Sequence, residues 1–168
     1  FAHSYQTLLL DPQAAVTTSF ADGFAFDKRP YPAAWFYQGA YQFQKHFFGM
    51  VGELAAKGEE VECARLIDTL PQVKFWIRNL ASRPQTSFWL QTSTDRFYPD
   101  FVAMLKDGRI FAIEYKGAHL ADSPDTLEKT NIGQLWAAKS QGKALFLMAE
   151  QKDAQGHGLA EQIARAIG

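Results

Sequence analysis

FYPDFVAMLKDGRIFAIEYKG, residues 97–117, sets two apolar runs around a short polar turn. FVAML at 101–105 and RIFAIEYK at 109–116 are rich in apolar, β-branched and aromatic side chains, and Lys106-Asp107-Gly108 between them supplies turn residues. The stretch therefore predicts an antiparallel hairpin. Loop length decides which side chains meet. A two-residue Asp107-Gly108 turn sets Asp100 opposite Tyr115 and leaves Glu114 on the wrong face. A three-residue turn with Gly108 left-handed pairs Asp100 with Glu114, and this form is expected here. Lys116 comes two residues after Glu114 on an extended strand and so shares its face. Two carboxylates and an ammonium are thereby predicted at one edge of a sheet.

Outward from the hairpin, residues 59–70 read as a helix that stops before Pro71. Cys63, Ala64, Ile67 and Leu70 form its apolar face. Glu60, three and four residues before the first two, lies at the edge of that face, whereas Glu62 points elsewhere. VKFWI at 73–77 and SFWLQ at 87–91 are strand candidates, separated by a polar stretch. After the hairpin and a polar loop, residues 126–140 read as a helix, 143–150 as a strand and 159–167 as a terminal helix. The expectation is a single α/β domain: an α-βββ-α-β-α core over 51–168 whose mixed central sheet is flanked by helices. Residues 1–50 form an aromatic-rich N-terminal extension, irregular around DKRPYP at 27–32. Within it, Ala34–Val51 is read as a helix whose rings cover the core or a missing neighbouring domain.

Composition narrows the function classes. With 47% hydrophobic and 21% charged residues and no long apolar run, the chain reads as a folded domain that neither spans a membrane nor stays disordered. Seventeen basic against eighteen acidic residues give a net charge of -1, which advertises no broad cationic surface for nucleic acid. That weakens a simple DNA-binding module more than a nuclease, because a bound divalent metal supplies local positive charge. The single cysteine, Cys63, permits no intrachain disulfide, and a reducing, cytoplasmic setting is the default expectation. The start at Phe1, without a signal-peptide pattern, suggests a piece of a longer polypeptide.

Carboxylate oxygens at Asp100 and Glu114 suit Mg2+ or Mn2+, and an adjacent lysine can orient water or stabilise charge on a phosphate. An isolated E-x-K is ordinarily a solvated surface ion pair. Here it ends an apolar strand, follows YPD at a fitting distance and leads into Gly117, and that combination favours a metal-dependent site. Glu60 joins it only if it does not simply face water. Lys129, Arg78 and Arg83 are candidate phosphate contacts, although solvation is the more ordinary state of each taken singly. His3, His46, His119 and His157 have no zinc-like spacing. The loop 117–126, polar and containing glycine and proline, is expected to be mobile until substrate or partner orders it.

YPD at 98–100 followed by EYK at 114–116 resembles the PD-(D/E)XK nuclease superfamily. The surrounding YPDFVAMLKDGRIFAIEYKG is similar to the nuclease domain at the C-terminus of type III restriction subunits and related helicase-like proteins. The resemblance runs from Glu60 to Met148, with EVECARLID matching the helix before the strands and VKFWIRNL the segment after it. It implies a restriction-endonuclease-like fold and metal-dependent DNA phosphodiester hydrolysis, with Mg2+ as the usual cofactor. In that family Asp100 and Glu114 would hold the metal, joined by the Tyr115 carbonyl. Glu60 would complete or orient its shell, and Lys116 would position or activate water. Gln134, on the following helix, would touch a phosphate or a metal-bound water, or else serve the helix surface. DNA is the implied partner, together with a helicase or translocase region of the same longer polypeptide and a specificity subunit. No Walker A motif is present, so the motor is not in these residues. The alternative is a noncatalytic DNA-binding or assembly domain that keeps the nuclease fold.

Overall fold

The computed structural model describes residues 26–27, 29–117 and 123–168. His3, His119, the first half of the 1–50 extension and residues 118–122 of the loop with expected mobility lie outside the described residues.

The elements are α1 (Glu59–Thr69), β1 (Val73–Arg78), β2 (Leu90–Gln91), β3 (Arg96–Phe97), β4 (Phe101–Leu105), β5 (Ile110–Lys116), α2 (Pro124–Lys139), β6 (Ala144–Glu150) and α3 (Leu159–Ile167). A four-stranded sheet runs in the order β1-β4-β5-β6. The first three strands are antiparallel, and β6 lies parallel to β5 because α2 carries the chain back across the sheet. The fold is thus a mixed α/β arrangement, a mixed sheet flanked by the three described helices. No helix among the described residues is long and apolar enough to cross a membrane.

The hairpin has the three-residue turn. Phe101 pairs with Ile113 and Met104 with Ile110, while the Leu105 N–H donates to the Arg109 carbonyl at 2.9 Å. Gly108 takes φ 91°, the left-handed value this loop needs and an L side chain resists. Continued one step past Phe101, the register sets Asp100 opposite Glu114.

Strand alternation divides the core between the two faces of the sheet. Phe101, Ala103, Leu105, Phe111 and Ile113 pack with Val61, Ala64 and Ile67 of α1 and Ile163 and Ile167 of α3. Val102, Ile110, Ala112 and Phe146 pack on the opposite face with Ile132 of α2 and with Phe88, Leu90 and Phe97. Helix α2 begins sharply: the Ser123 hydroxyl accepts the Thr126 N–H at 3.1 Å, and Pro124 occupies the first turn, where its missing N–H is harmless. It also sits close to β6. A β-carbon on Gly133 would fall 2.4 Å from the buried Phe146 ring, so only glycine fits there.

Two sequence expectations are corrected. Ala34–Val51 is not a helix but bends and isolated bridges, Phe36 to Gly52 and His46 to Trp76. Several of its backbone groups are satisfied from outside the segment: Lys45 O accepts the Trp76 N–H at 3.0 Å, and the Asp68 carboxylate accepts the N–H groups of Gln44 and Lys45. Dense aromatics there are a coat on β1 and α1, without the period of a helix. SFWLQ is not a strand of the central sheet either, since only Leu90–Gln91 pairs, with Arg96–Phe97, in a separate two-stranded ribbon. The Asn79 amide takes Phe88's main chain instead, accepting its N–H at 2.9 Å and donating to its carbonyl at 2.7 Å. β1 therefore pairs directly with β4.

Candidate functional site

Asp100 immediately precedes β4, and Glu114 lies near the end of β5. Each carboxylate bonds the other strand's main chain. Glu114 Oε2 accepts the Asp100 N–H at 3.1 Å, and Asp100 Oδ2 accepts the Tyr115 N–H at 2.9 Å. Sheet register thus fixes both groups without help from a loop. Lys116 Nζ stands 3.5 Å from Glu114 Oε1, an ion pair whose side chains are 15% and 10% exposed. The three residues that the hairpin pattern groups are together.

Arg78, at the end of β1, completes the cluster in a way its sequence context did not reveal. Its guanidinium is forked: Nη1 lies 3.0 Å from Asp100 Oδ1 and Nη2 lies 2.7 Å from Glu60 Oε2. Nε donates to the Glu53 carbonyl at 3.3 Å, and the plane rests 5.1 Å from the Phe101 ring centroid. The arginine is therefore no solvated cation. Its main chain is braced as well, with the N–H donating to His46 Nε2 at 3.0 Å and the carbonyl accepting the Tyr31 hydroxyl at 2.9 Å. Because Nε2 accepts and Nδ1 meets the Phe48 carbonyl, His46 is the neutral Nδ1–H tautomer, and burial lowers its pKa to about 4. The N-terminal segment thus holds Arg78, and Arg78 holds two acids. The available signal was the register of β1 on β4, which sets Arg78 opposite Phe101, beside Asp100. Local sequence does not encode that pairing.

Burial is the main force on the charges here. It raises Glu114 to about 8, reinforced by the Asp100 charge and opposed by Lys116 and Lys129. Burial and Asp100 also raise Glu60, against the pull of Arg78. In the cation-free chain Glu114 holds its proton more tightly folded than unfolded. Its stabilising contribution is complete below pH 4.5 and is lost as pH rises to about 8. Denaturation of cation-free protein across this window should show stability falling with pH for the wild type and a flatter profile for Glu114→Gln. Equal slopes for the two proteins would contradict this origin of the shift.

Donor chemistry fits a divalent cation at two positions. Asp100 and Glu114 are adjacent, largely buried oxygen donors of the kind a divalent cation takes, and burial, with the Asp100 charge, is what raises Glu114 in the cation-free chain. Among the described residues no group of three or more acids, histidines or cysteines forms a ready metal shell, and Glu60 is turned to Arg78. Tyr115 enters through its N–H, while its side chain packs in the core on the α1 face. Gln134 is not brought to the acids. Its amide lies 3.5 Å from the Phe146 carbonyl and lines a cavity of about 420 Å³ with Leu147, Gln162 and Arg165, which includes none of them.

Of the other candidate cations, Arg83 is tied into the N-terminal segment, 2.9 Å from Glu53 Oε1 and 3.2 Å from the Pro32 carbonyl. Lys129 pairs with Asp125 at 2.7 Å and shares a cavity with Glu114. Cys63 is fully buried, and burial pushes its thiol far up, which removes it as a nucleophile. His157 is engaged by Asp153, 2.9 Å from Nδ1.

No protein-family model, curated protein or solved structure matches the chain significantly.

Proposed function

We propose that this chain is a restriction-endonuclease-like nuclease domain, a divalent-metal-dependent deoxyribonuclease that hydrolyses phosphodiester bonds. The observation that carries the reading is the reciprocal main-chain anchoring of Asp100 and Glu114 with Lys116 3.5 Å from Glu114. An ordinary surface E-x-K pair needs neither burial nor a second acid locked opposite it.

In this reading Asp100 and Glu114 hold Mg2+ or Mn2+, with the Tyr115 carbonyl as a further donor. When bound, such a cation supplies charge neutralisation at the phosphate and activation of water. Lys116 orients the attacking water and counters charge developing on the phosphate. Glu60 contributes once Arg78 releases it, and Arg78 keeps Asp100 in place and its charge compensated in the meantime. Gln134 remains a candidate for contact with a phosphate farther along the DNA. A helicase or translocase region of the same longer polypeptide and a specificity subunit are the proposed partners, in the cytoplasm.

The test compares supercoiled, linear and single-stranded DNA incubated with the chain in Mg2+, in Mn2+ and in chelator. Cleavage that needs the cation supports the proposal. A second reading, a noncatalytic DNA-binding or assembly domain, is favoured by the Arg78 fork, which can serve as a permanent counter-ion to Glu60 and Asp100. Inactivity on every substrate and metal, in a folded chain that still binds DNA, would select it.

A further inference from the structure

A cavity of about 450 Å³ opens beside Glu114, between the β2–β3 ribbon and α2. Arg96 and Tyr98 line it from the ribbon side and Lys129 from α2, with Glu114 at its sheet end. The volume lies in the range of about 300–1,000 Å³ typical of small-ligand sites, enough for one nucleotide and too small for a segment of duplex. Both cations are held ready by aromatic faces. The Arg96 guanidinium lies 4.9 Å from the Trp89 ring centroid and shares the cavity wall with Tyr98. Lys129 Nζ lies 5.6 Å from the Phe97 centroid. The Lys129 partner, Asp125, is 64% exposed, and so solvated an i,i+4 pair gives way readily to a phosphate. Asp95, the other acid at the cavity, has Oδ1 engaged by the Arg96 N–H at 2.7 Å.

We infer that this cavity is a subsite for the DNA strand, holding the nucleotide next to the scissile phosphate. Lys129 and Arg96 take its phosphate, and Tyr98 packs on its sugar or base. Successive phosphates of one strand would then run from Lys116 to Lys129 across Glu114. The inference rests on the nuclease reading above and adds to it how the substrate strand is gripped. It also requires the strand to leave the duplex locally, since the cavity admits only one nucleotide.

The test is fluorescence anisotropy of a labelled single-stranded DNA oligonucleotide with the 168-residue chain in Ca2+, over a series of salt concentrations. Lys129→Ala and Arg96→Ala should each weaken binding about tenfold and lower the slope of log K against log salt by about 0.7. Lys129→Arg should restore the slope, and Lys74→Ala, on β1 away from the cavity, should leave it unchanged. A fold defect alone would reduce the active fraction without altering the slope. Wild-type slopes in both alanine variants, with wild-type binding and Mg2+-dependent cleavage intact, overturn the subsite alone. A wild-type chain that neither binds the oligonucleotide nor cleaves DNA in Mg2+ overturns the nuclease reading and this inference with it.

Discussion

Asp100→Asn is expected to lower Mg2+-dependent DNA cleavage by about 10³-fold while leaving the chain folded. The loss follows from removing one of two carboxylates that would hold the cation, an electrostatic contribution of several kcal/mol in the transition state, with each 1.36 kcal/mol worth about tenfold in rate. Asparagine is the informative replacement. Its amide oxygen can still accept the Tyr115 N–H now held at 2.9 Å by Oδ2, so the main-chain anchor survives, while its NH2 replaces the oxygen that Arg78 Nη1 meets at 3.0 Å and that ion pair is lost. Asp100→Ala would strand that N–H and uncouple Arg78 from the site, adding a stability loss of about 1–3 kcal/mol that would cloud the kinetics. Glu114→Gln should act similarly on rate. Lys116→Ala should slow cleavage while leaving cation affinity closer to wild type, because its ammonium repels a cation. Cleavage by folded Asp100→Asn at the wild-type rate would refute the proposed role.

Asp68→Ala should be the most destabilising single change outside the apolar core, at about 4 kcal/mol. The Asp68 carboxylate is 3% exposed and gathers four donors: the N–H groups of Gln44 and Lys45, the Tyr41 hydroxyl at 3.0 Å and the Trp76 indole at 2.9 Å. Alanine leaves them facing a void, and each buried donor without a partner costs about 1–3 kcal/mol before relaxation. The site feels this change too, since residues 41–46 run directly into His46, which braces the Arg78 N–H. A thermal midpoint lowered by roughly 10 °C is expected for a chain of this size. Asp68→Asn, which keeps an acceptor, should fall between. A midpoint within about 2 °C of wild type for Asp68→Ala would show that the segment is held by aromatic packing alone.

The hairpin was legible in the sequence because everything that sets it is local. Lys106-Asp107-Gly108 fixes the loop length, loop length fixes register, and register puts Asp100 opposite Glu114 with Lys116 on the same face. The three helices were legible by period, at 59–70, 126–140 and 159–167, the first also by its stop before Pro71, whereas the start of the second at Pro124 was missed. What failed depended on partners distant in sequence. The Ala34–Val51 segment has aromatics at high density but gives its backbone hydrogen bonds to Asp68 and β1, and nothing within the segment announces that. Phe88 is withheld from the central sheet by the side chain of Asn79. Arg78 could be named as a cation but not as the fork between Glu60 and Asp100, because the β1–β4 register comes from the assembled sheet. Glu60, drawn from the edge of an apolar helical face, does reach the cluster, through the arginine. Gln134 faces another cavity because α2 turns it toward α3.

Titrating Mn2+ into the chain at pH 7 while following the unfolding midpoint shows whether Asp100 and Glu114 form the proposed divalent-cation site. A cation that binds the folded pair and not the unfolded chain adds about 2.7 kcal/mol at a hundredfold excess over Kd. A saturable rise is expected in the wild-type midpoint, a strongly reduced rise in Asp100→Asn and Glu114→Gln, and a retained rise in Lys116→Ala. An identical response of wild type, Asp100→Asn and Glu114→Gln would contradict the proposed site.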